Sequence, residues 1–175
     1  LTIASEHGHV AIVELLLAQD GVEPDIECDR GWTPLHVAVM LSHVKIVELL
    51  LKTNCVNPNC REGDEYTTPL LVTAVQNKDL DIIELLLAND VLDPNPKGIR
   101  GLNALSQAVA QGSVDIVDRL LLRDDVNVNC LDTVERTPLD VALQQLFGEE
   151  RERIIEVLRV KGAVRGEDLR RRTCA

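Results

Sequence analysis

Gly31-Trp32-Thr33-Pro34-Leu35-His36-Val37-Ala38 returns in altered form about every 35 residues. Thr68-Pro69-Leu70, Asn103-Ala104-Leu105 and Thr137-Pro138-Leu139 hold the same place in later copies. A second phrase follows fifteen or sixteen residues behind: Ile46-Val47-Glu48-Leu49-Leu50-Leu51, Ile82-Ile83-Glu84-Leu85-Leu86-Leu87 and Ile116-Val117-Asp118-Arg119-Leu120-Leu121. Self-similarity at this period means one supersecondary unit stacked on copies of itself.

The second copy, residues 30–61, reads most clearly. Thr33 is a good helix N-cap, because its hydroxyl can accept from an NH left unpaired in the first turn. Pro34 follows at the first helical position, where its missing NH costs nothing and its φ is already helical. Leu35, Val37, Ala38 and Val39 make a short first helix ending near Leu41, and Ser42-His43 form a tight turn. Val44 to Lys52 makes a second helix that is apolar nearly all round, as expected of one packed between neighbours. Asn54, tolerant of left-handed backbone, stops it, and Cys55-Val56-Asn57-Pro58-Asn59 leads on through an extended turn.

The remaining copies vary this plan. Residues 1–29 are a truncated first copy in which Ala4, Gly8-His9 and Val10 to Leu17 match positions 38, 42–43 and 44–51. The third copy, 62–97, has one extra residue within Leu71-Val72-Thr73-Ala74. The fourth, 98–131, caps with Asn103 and is expected to start its helix more softly. The fifth, 132–163, has fourteen residues from Ala142 to Glu156 where the second has ten, an insertion expected to lengthen the first helix or its turn. Its second helix carries Glu152, Arg153, Arg159 and Lys161, a polarity that fits an end cap facing water. Residues 164–175 read as a frayed basic tail.

The 45% apolar content allows a core, yet only Trp32, Tyr66 and Phe147 are aromatic, so that core is aliphatic. Net charge is −11. Residues 1–148 hold 23 acidic against 10 basic side chains, and 149–175 hold 6 against 8. A field of that sign disfavours nucleic acid and anionic lipid; it either keeps the chain soluble or attracts a basic partner. Five cysteines without CxxC spacing point to reduced thiols and a cytoplasmic or nuclear location. No apolar run approaches the ~18–20 residues of a membrane helix. The opening at Leu1, in mid-repeat, reads as a piece of a longer chain, expected to be monomeric.

Thr33-Pro34-Leu35-His36-x-Ala38, its echoes at 68–70 and 137–142, Gly8-His9 and the Ile-Val-Glu-Leu-Leu-Leu blocks together resemble the ankyrin repeat family. The Val56-Asn57-Pro58-Asn59 and Val126-Asn127-Val128-Asn129 turns stand where that family has its hairpin, and the likeness covers residues 1–163 in five copies. It implies an all-α solenoid of stacked antiparallel helix pairs with β-hairpin-like turns and a concave face. It also implies a protein–protein interaction module, no enzyme and no cofactor. The alternative is a regulatory or targeting segment of a larger enzyme or signalling protein. A purely structural spacer, with no saturable partner, stands as a third reading.

The resemblance further implies which positions meet a protein partner: the residue before the capping Thr, the one three before it, and two at the end of the first helix. These are Trp32, Arg30, Met40 and Leu41 in the second copy. They are Thr67, Glu65, Gln76 and Asn77 in the third, and Leu102, Arg100, Ala110 and Gln111 in the fourth; in the first, Glu6 and His7 match. Trp32, Met40, Leu41 and Leu102 would make an apolar strip flanked by Arg30 and Arg100, the composition of interface hot spots. Against this, Trp32 could simply pack on its own hairpin, and Tyr66 stands where the turn glycine is usual. His36 is expected to steady the Thr33 cap. His7 and His9 diverge on a helix, so metal binding is not expected, and no catalytic motif is present.

Overall fold

Three of the first helices begin where the capping chemistry says they should. The Thr33 hydroxyl accepts from the His36 NH at 3.2 Å, and the Asn103 carbonyl oxygen from the Ser106 NH at 2.9 Å. Thr137 and Asp140 form a reciprocal capping box, the Asp140 NH bonding the Thr137 hydroxyl while the Thr137 NH bonds the Asp140 carboxylate. The computed structural model describes residues 1–60, 68–98 and 101–173, and among these every regular element is a helix.

First helices are α1 (Thr2–Glu6), α3 (Pro34–Met40), α5 (Leu70–Asn77), α7 (Ala104–Ala110) and α9 (Pro138–Gln145). Second helices are α2 (Val10–Leu17), α4 (Val44–Lys52), α6 (Leu80–Leu87), α8 (Val114–Leu120) and α10 (Gly148–Val160), with α11 (Gly166–Thr173) following. They fall into two compact units, Leu1–Asp93 and Pro94–Ala175. In the first unit α1, α3 and α5 pack in one row and α2, α4 and α6 in another; in the second unit α7 packs on α9 and α8 on α10.

The turn from first to second helix repeats with the same geometry. Gly8, Ser42, Lys78 and Gly112 all take left-handed φ, between +59° and +69°. One residue further on, the NH of His9, His43, Asp79 and Ser113 reaches back to the carbonyl of Ala4, Ala38, Ala74 and Ala108 at 2.8–3.1 Å. This closes each helix by the six-to-one bond of a Schellman ending. Gly8 is doubly constrained, because a Cβ there would come within 3.0 Å of the His43 ring. Asn54 stops α4 at φ +53°, as its position in the sequence implied.

The cores are aliphatic. Leu35, Ile46, Leu50, Leu70, Leu71, Ile82, Ile83 and Leu86 in the first unit, and Leu105, Leu120, Ile154 and Leu158 in the second, are all under 2% exposed. Leu49 and Leu85, by contrast, are only half-buried, since they lie on the outer flank of α4 and α6.

A bonding pattern absent from the sequence reading ties copy to copy. Asn59 accepts from the Asp93 NH at 2.7 Å and donates to the Val91 carbonyl at 2.7 Å. Asn95 does the same with Asn127 and Asp125 (2.6 and 2.8 Å), and Asn129 with Val164 and Gly162 (2.8 and 3.2 Å). One primary amide thus serves a donor and an acceptor of the next copy's loop. At the first junction the residue is Asp25, which accepts from the Asn57 NH at 3.1 Å but cannot donate; its other oxygen, Oδ1, is buried without a partner.

One detail goes beyond the expectations, and two expectations need correction. The extra residue of the third copy delays its first helix, so Pro69 occupies the cap and offers no side-chain acceptor, while Thr73 bonds back to the Pro69 carbonyl at 3.3 Å. The insertion in the fifth copy goes mainly into the second helix: α10 has 13 residues against 9 in α4, and Leu146-Phe147 are extended between the helices. Residues 166–173 are not a frayed tail but the helix α11, because Asp140 accepts the Gly166 NH at 2.8 Å and pairs with Arg165 at 3.2 Å.

Leu50→Ala should lower the unfolding free energy in urea by about 2–5 kcal/mol, a large-to-small change in a closed core. Asp25→Asn should raise it by about 1 kcal/mol by restoring donation to the Cys55 carbonyl. Burial, with help from Glu27, raises the Asp25 carboxyl above its ordinary value, and the Asn57 NH only partly opposes this. The penalty therefore appears as pH rises from the unfolded carboxylate value through the raised folded one, and is constant above it. The gain in Asp25→Asn should be largest at neutral pH, shrink as pH falls through the raised folded value, and be smallest below the unfolded value of about 4.

Candidate functional site

The turn ahead of α3 is built to present Trp32. Gly31 takes φ +78°, its NH bonds the Cys28 carbonyl at 2.8 Å, and the Cys28 NH bonds the Trp32 carbonyl at 3.0 Å. The left-handed residue is needed there, and glycine supplies it without strain. Immediately after, the Thr33 cap starts α3 and brings His36 under the indole. The two rings stack with centroids 6.4 Å apart and planes 9° from parallel. The Arg30 guanidinium lies over the indole, 5.4 Å from its centroid. Arg30 is exposed and Trp32 half-buried, so the indole has a ring and a guanidinium against it yet remains accessible.

Burial pushes the His36 imidazole below its ordinary value, so the ring under Trp32 is neutral at pH 7. His36 is 7% exposed. Its NH completes the Thr33 cap, and its ring supports Trp32.

Met40 and Leu41 stand at the far end of the same helix, about 12 Å along its axis from the cap. Every residue of α3 from Pro34 to Val39 is buried, whereas Met40 is half-buried and Leu41 is 43% exposed. Trp32 and the Met40–Leu41 pair are therefore two separate accessible points at the two ends of α3, not the walls of one pocket.

The third-copy positions behave differently. Gln76 and Asn77 are exposed, but the Asn77 amide donates to the Met40 carbonyl at 3.1 Å and the Val39 carbonyl at 3.4 Å. Asn77 thus closes the C-terminal end of α3 from the neighbouring copy. His43 does the same one copy earlier, its Nε2 lying 3.2 Å from the Glu6 carbonyl oxygen. Glu65, Tyr66, Thr67 and Arg100 lie outside the described residues. In the second unit Leu102 is half-buried, its carbonyl accepting from the Gly98 NH at 2.8 Å, and Ala110 and Gln111 are half-buried around the end of α7.

Two features escaped the sequence reading. Phe147, the chain's single phenylalanine, is 83% exposed in the extended link between α9 and α10, where it stands just before the first residue of α10. Its signal was an aromatic inside an insertion, where no core position required one. Asp140 replaces the cap-steadying histidine. Burial alone would raise its carboxyl, but bonds from the Gly166 NH, the Thr137 NH, Arg165 and the Thr137 hydroxyl outweigh that and hold it below the usual range.

Other concavities offer less. A groove of about 570 Å³ between α4 and α6 is lined by Leu51, Leu85, Asp90 and Val91, with Glu48 and Lys52 at its rim. Glu48 is held down to about 2 by hydrogen bonds from Lys45 and Lys52, so the rim is internally neutralised. Among the described residues no group of three or more His, Cys, Asp or Glu is arranged to hold a metal ion, and no helix is long and apolar enough to cross a membrane.

The family described as ankyrin repeats (3 copies) matches residues 1–98 and again residues 71–164. A comparison with curated proteins found no match.

The indole–imidazole stack can be read directly, because Trp32 is the chain's one tryptophan. An unfolded histidine takes its proton near pH 6.5, and the buried one does so only at lower pH. The stability associated with neutral His36 is thus full above about pH 6.5 and is lost as pH falls through the depressed folded value. Trp32 fluorescence should fall over the same interval as the imidazolium forms against the indole, and His36→Gln should abolish that titration without unfolding the chain.

Proposed function

The chain belongs to the ankyrin repeat family, and we propose that it binds a protein segment through its hairpin tips and the exposed ends of its first helices, without catalysing a reaction. Ankyrin repeats are generally protein–protein interaction modules and typically non-catalytic. The observation that carries the finer reading is α3. Six of its seven residues are buried, and the apolar character continues past the buried stretch into Met40 and exposed Leu41. An immobilised indole flanked by a guanidinium stands at the other end. Pre-fixed aromatic and Arg groups beside exposed aliphatic ones are what a binding surface needs, since little side-chain freedom remains to be lost on association.

Arg30, Trp32, Met40 and Leu41 are the primary contacts in this reading, with Gln76 beside them and Asn77 holding the helix end in place. Leu102, Ala110 and Gln111 are the corresponding positions in the second unit, taken by themselves. Glu65, Thr67 and Arg100 are assigned by position alone. The acidic balance of residues 1–148 favours a basic segment over nucleic acid or anionic membrane. Unpaired Cys28, Cys55, Cys60 and Cys130 support a reducing compartment, cytoplasmic or nuclear.

Trp32→Ala, Met40→Ala and Leu41→Ala combined should weaken capture of the partner on the order of a hundredfold or more, with helical content and the melting transition retained. Calorimetry on the purified pair and circular dichroism on the variant check this. Undiminished binding would remove these residues from the interface.

A further inference from the structure

The geometry points to a second docking site, on the fifth copy, that accepts an Arg-Gly segment at the start of a helix. We propose that α11 is its displaceable occupant in cis and that a protein partner presenting the same chemistry takes its place. This site shares no residue with the α3 surface, and it stands or falls separately.

The site is built from the turn and first helical turn of the fifth copy. Asp140 occupies the position that His36 holds in the second copy, and Arg136 the position of Trp32. The aromatic stack is thus replaced by charge. The Asp140 carboxylate is 6% exposed. It accepts from the Thr137 NH at 3.1 Å and the Thr137 hydroxyl at 3.1 Å, while its remaining capacity goes to the Gly166 NH at 2.8 Å and Arg165 Nε at 3.2 Å. The Thr137 hydroxyl also lies 2.9 Å from the Val164 carbonyl oxygen, and Glu135 pairs with Arg170. Arg136 is held aside by Asp132, which receives its NH at 2.9 Å and its Nε at 2.9 Å.

Shape adds selectivity to charge. A Cβ on Gly166 would stand 2.5 Å from the Glu135 carbonyl oxygen and 3.2 Å from Asp140 Oδ2. Glycine is therefore required by close approach, not by its backbone angle. The segment recognised is an arginine, then a glycine whose NH opens a helix, then a second arginine one turn into that helix. A carboxylate facing a helix N-terminus is favourably placed in addition.

Polar contacts of this kind anchor the start of α11. Gly166 is buried, Asp168 and Leu169 are half-buried, and Arg165, Glu167, Arg170 and Arg171 are exposed. Leu169, the one large apolar residue of its sequence, is only half-buried. An eight-residue helix does not persist alone in water, so α11 exists as a helix while it is docked, and its release leaves the capping box of α9 intact. Contacts of this kind weaken with salt, and an arginine-bearing segment in trans competes on equal chemical terms.

The test uses the full chain carrying Gly166→Ala, which blocks the close approach without changing charge. Amide exchange in α11 should quicken at least about tenfold, the worth of one lost charge-assisted hydrogen bond, while α9 and α10 keep their protection. A synthetic peptide of residues 163–173 should then bind the variant saturably, shifting the amide signals of Arg136, Thr137 and Asp140. The same peptide with Gly166→Ala should bind at least about tenfold more weakly. The native chain, with its site filled, should bind the peptide at least as weakly. Arg165→Ala with Arg170→Ala replaces Gly166→Ala if the latter disturbs the second unit. Absence of saturable binding to a folded variant would overturn the proposal. Equal binding by the native chain, or indifference to the glycine in the peptide, would do so as well.

Discussion

None of these helices can stand alone. Those of copies one to four run from five to nine residues, well short of the dozen or more that an isolated helix needs in water. Each therefore depends on burying its apolar stripe against the copies beside it, and on having its loop groups satisfied from next door. The cross-copy amides of Asn59, Asn95 and Asn129 meet the second demand, and the closed layers around Leu50, Leu86, Leu120 and Leu158 meet the first. Because both are neighbour interactions, loss of one copy's core weakens the flanking copies too.

A rigid frame of this kind decides what its surface can do. Backbone positions are set by the stack, so side chains at helix ends and turn tips are presented without having to be ordered on contact. Trp32 shows this most plainly. Its turn, its cap and its neighbouring ring are all determined within nine residues of sequence, Cys28 to His36, and the indole ends half in solvent as a result. In the fifth copy the same backbone positions carry Arg136 and Asp140, and the surface becomes polar while the fold does not change. Architecture and recognition are thus separable, residue by residue.

Much of this was legible beforehand because the determining interactions are local. Thr33-Pro34 and Asn103 announced their helices, Ser42 and Asn54 their endings, and the aliphatic blocks their burial. What was not legible acts over distance. An asparagine in a Val-Asn-Pro-Asn loop reads as an ordinary turn residue, and nothing local shows that Asn59 bonds a backbone NH 34 residues later. Helix α11 was missed for a related reason. Its sequence has little apolar periodicity, and its order comes from Asp140, 26 positions upstream. The site was read in the same way. Trp32 and Leu41 could be placed by pattern, whereas Phe147 sits in an insertion that no repeat template covers.

The cross-copy amides also set how this protein ages. Spontaneous loss of a side-chain amide proceeds when the following residue's backbone nitrogen attacks the asparagine carbonyl and expels ammonia, and water then opens the cyclic imide to aspartate or isoaspartate. Asn95 precedes Pro96, whose nitrogen carries no proton to give up, so that junction is chemically shielded. Asn59 and Asn129 precede Cys60 and Cys130 and have no such shield. Each conversion would recreate the situation of Asp25, an oxygen left where a donor is wanted. Slow chemical wear of the stack is thus directed to the junctions after the second and fourth copies.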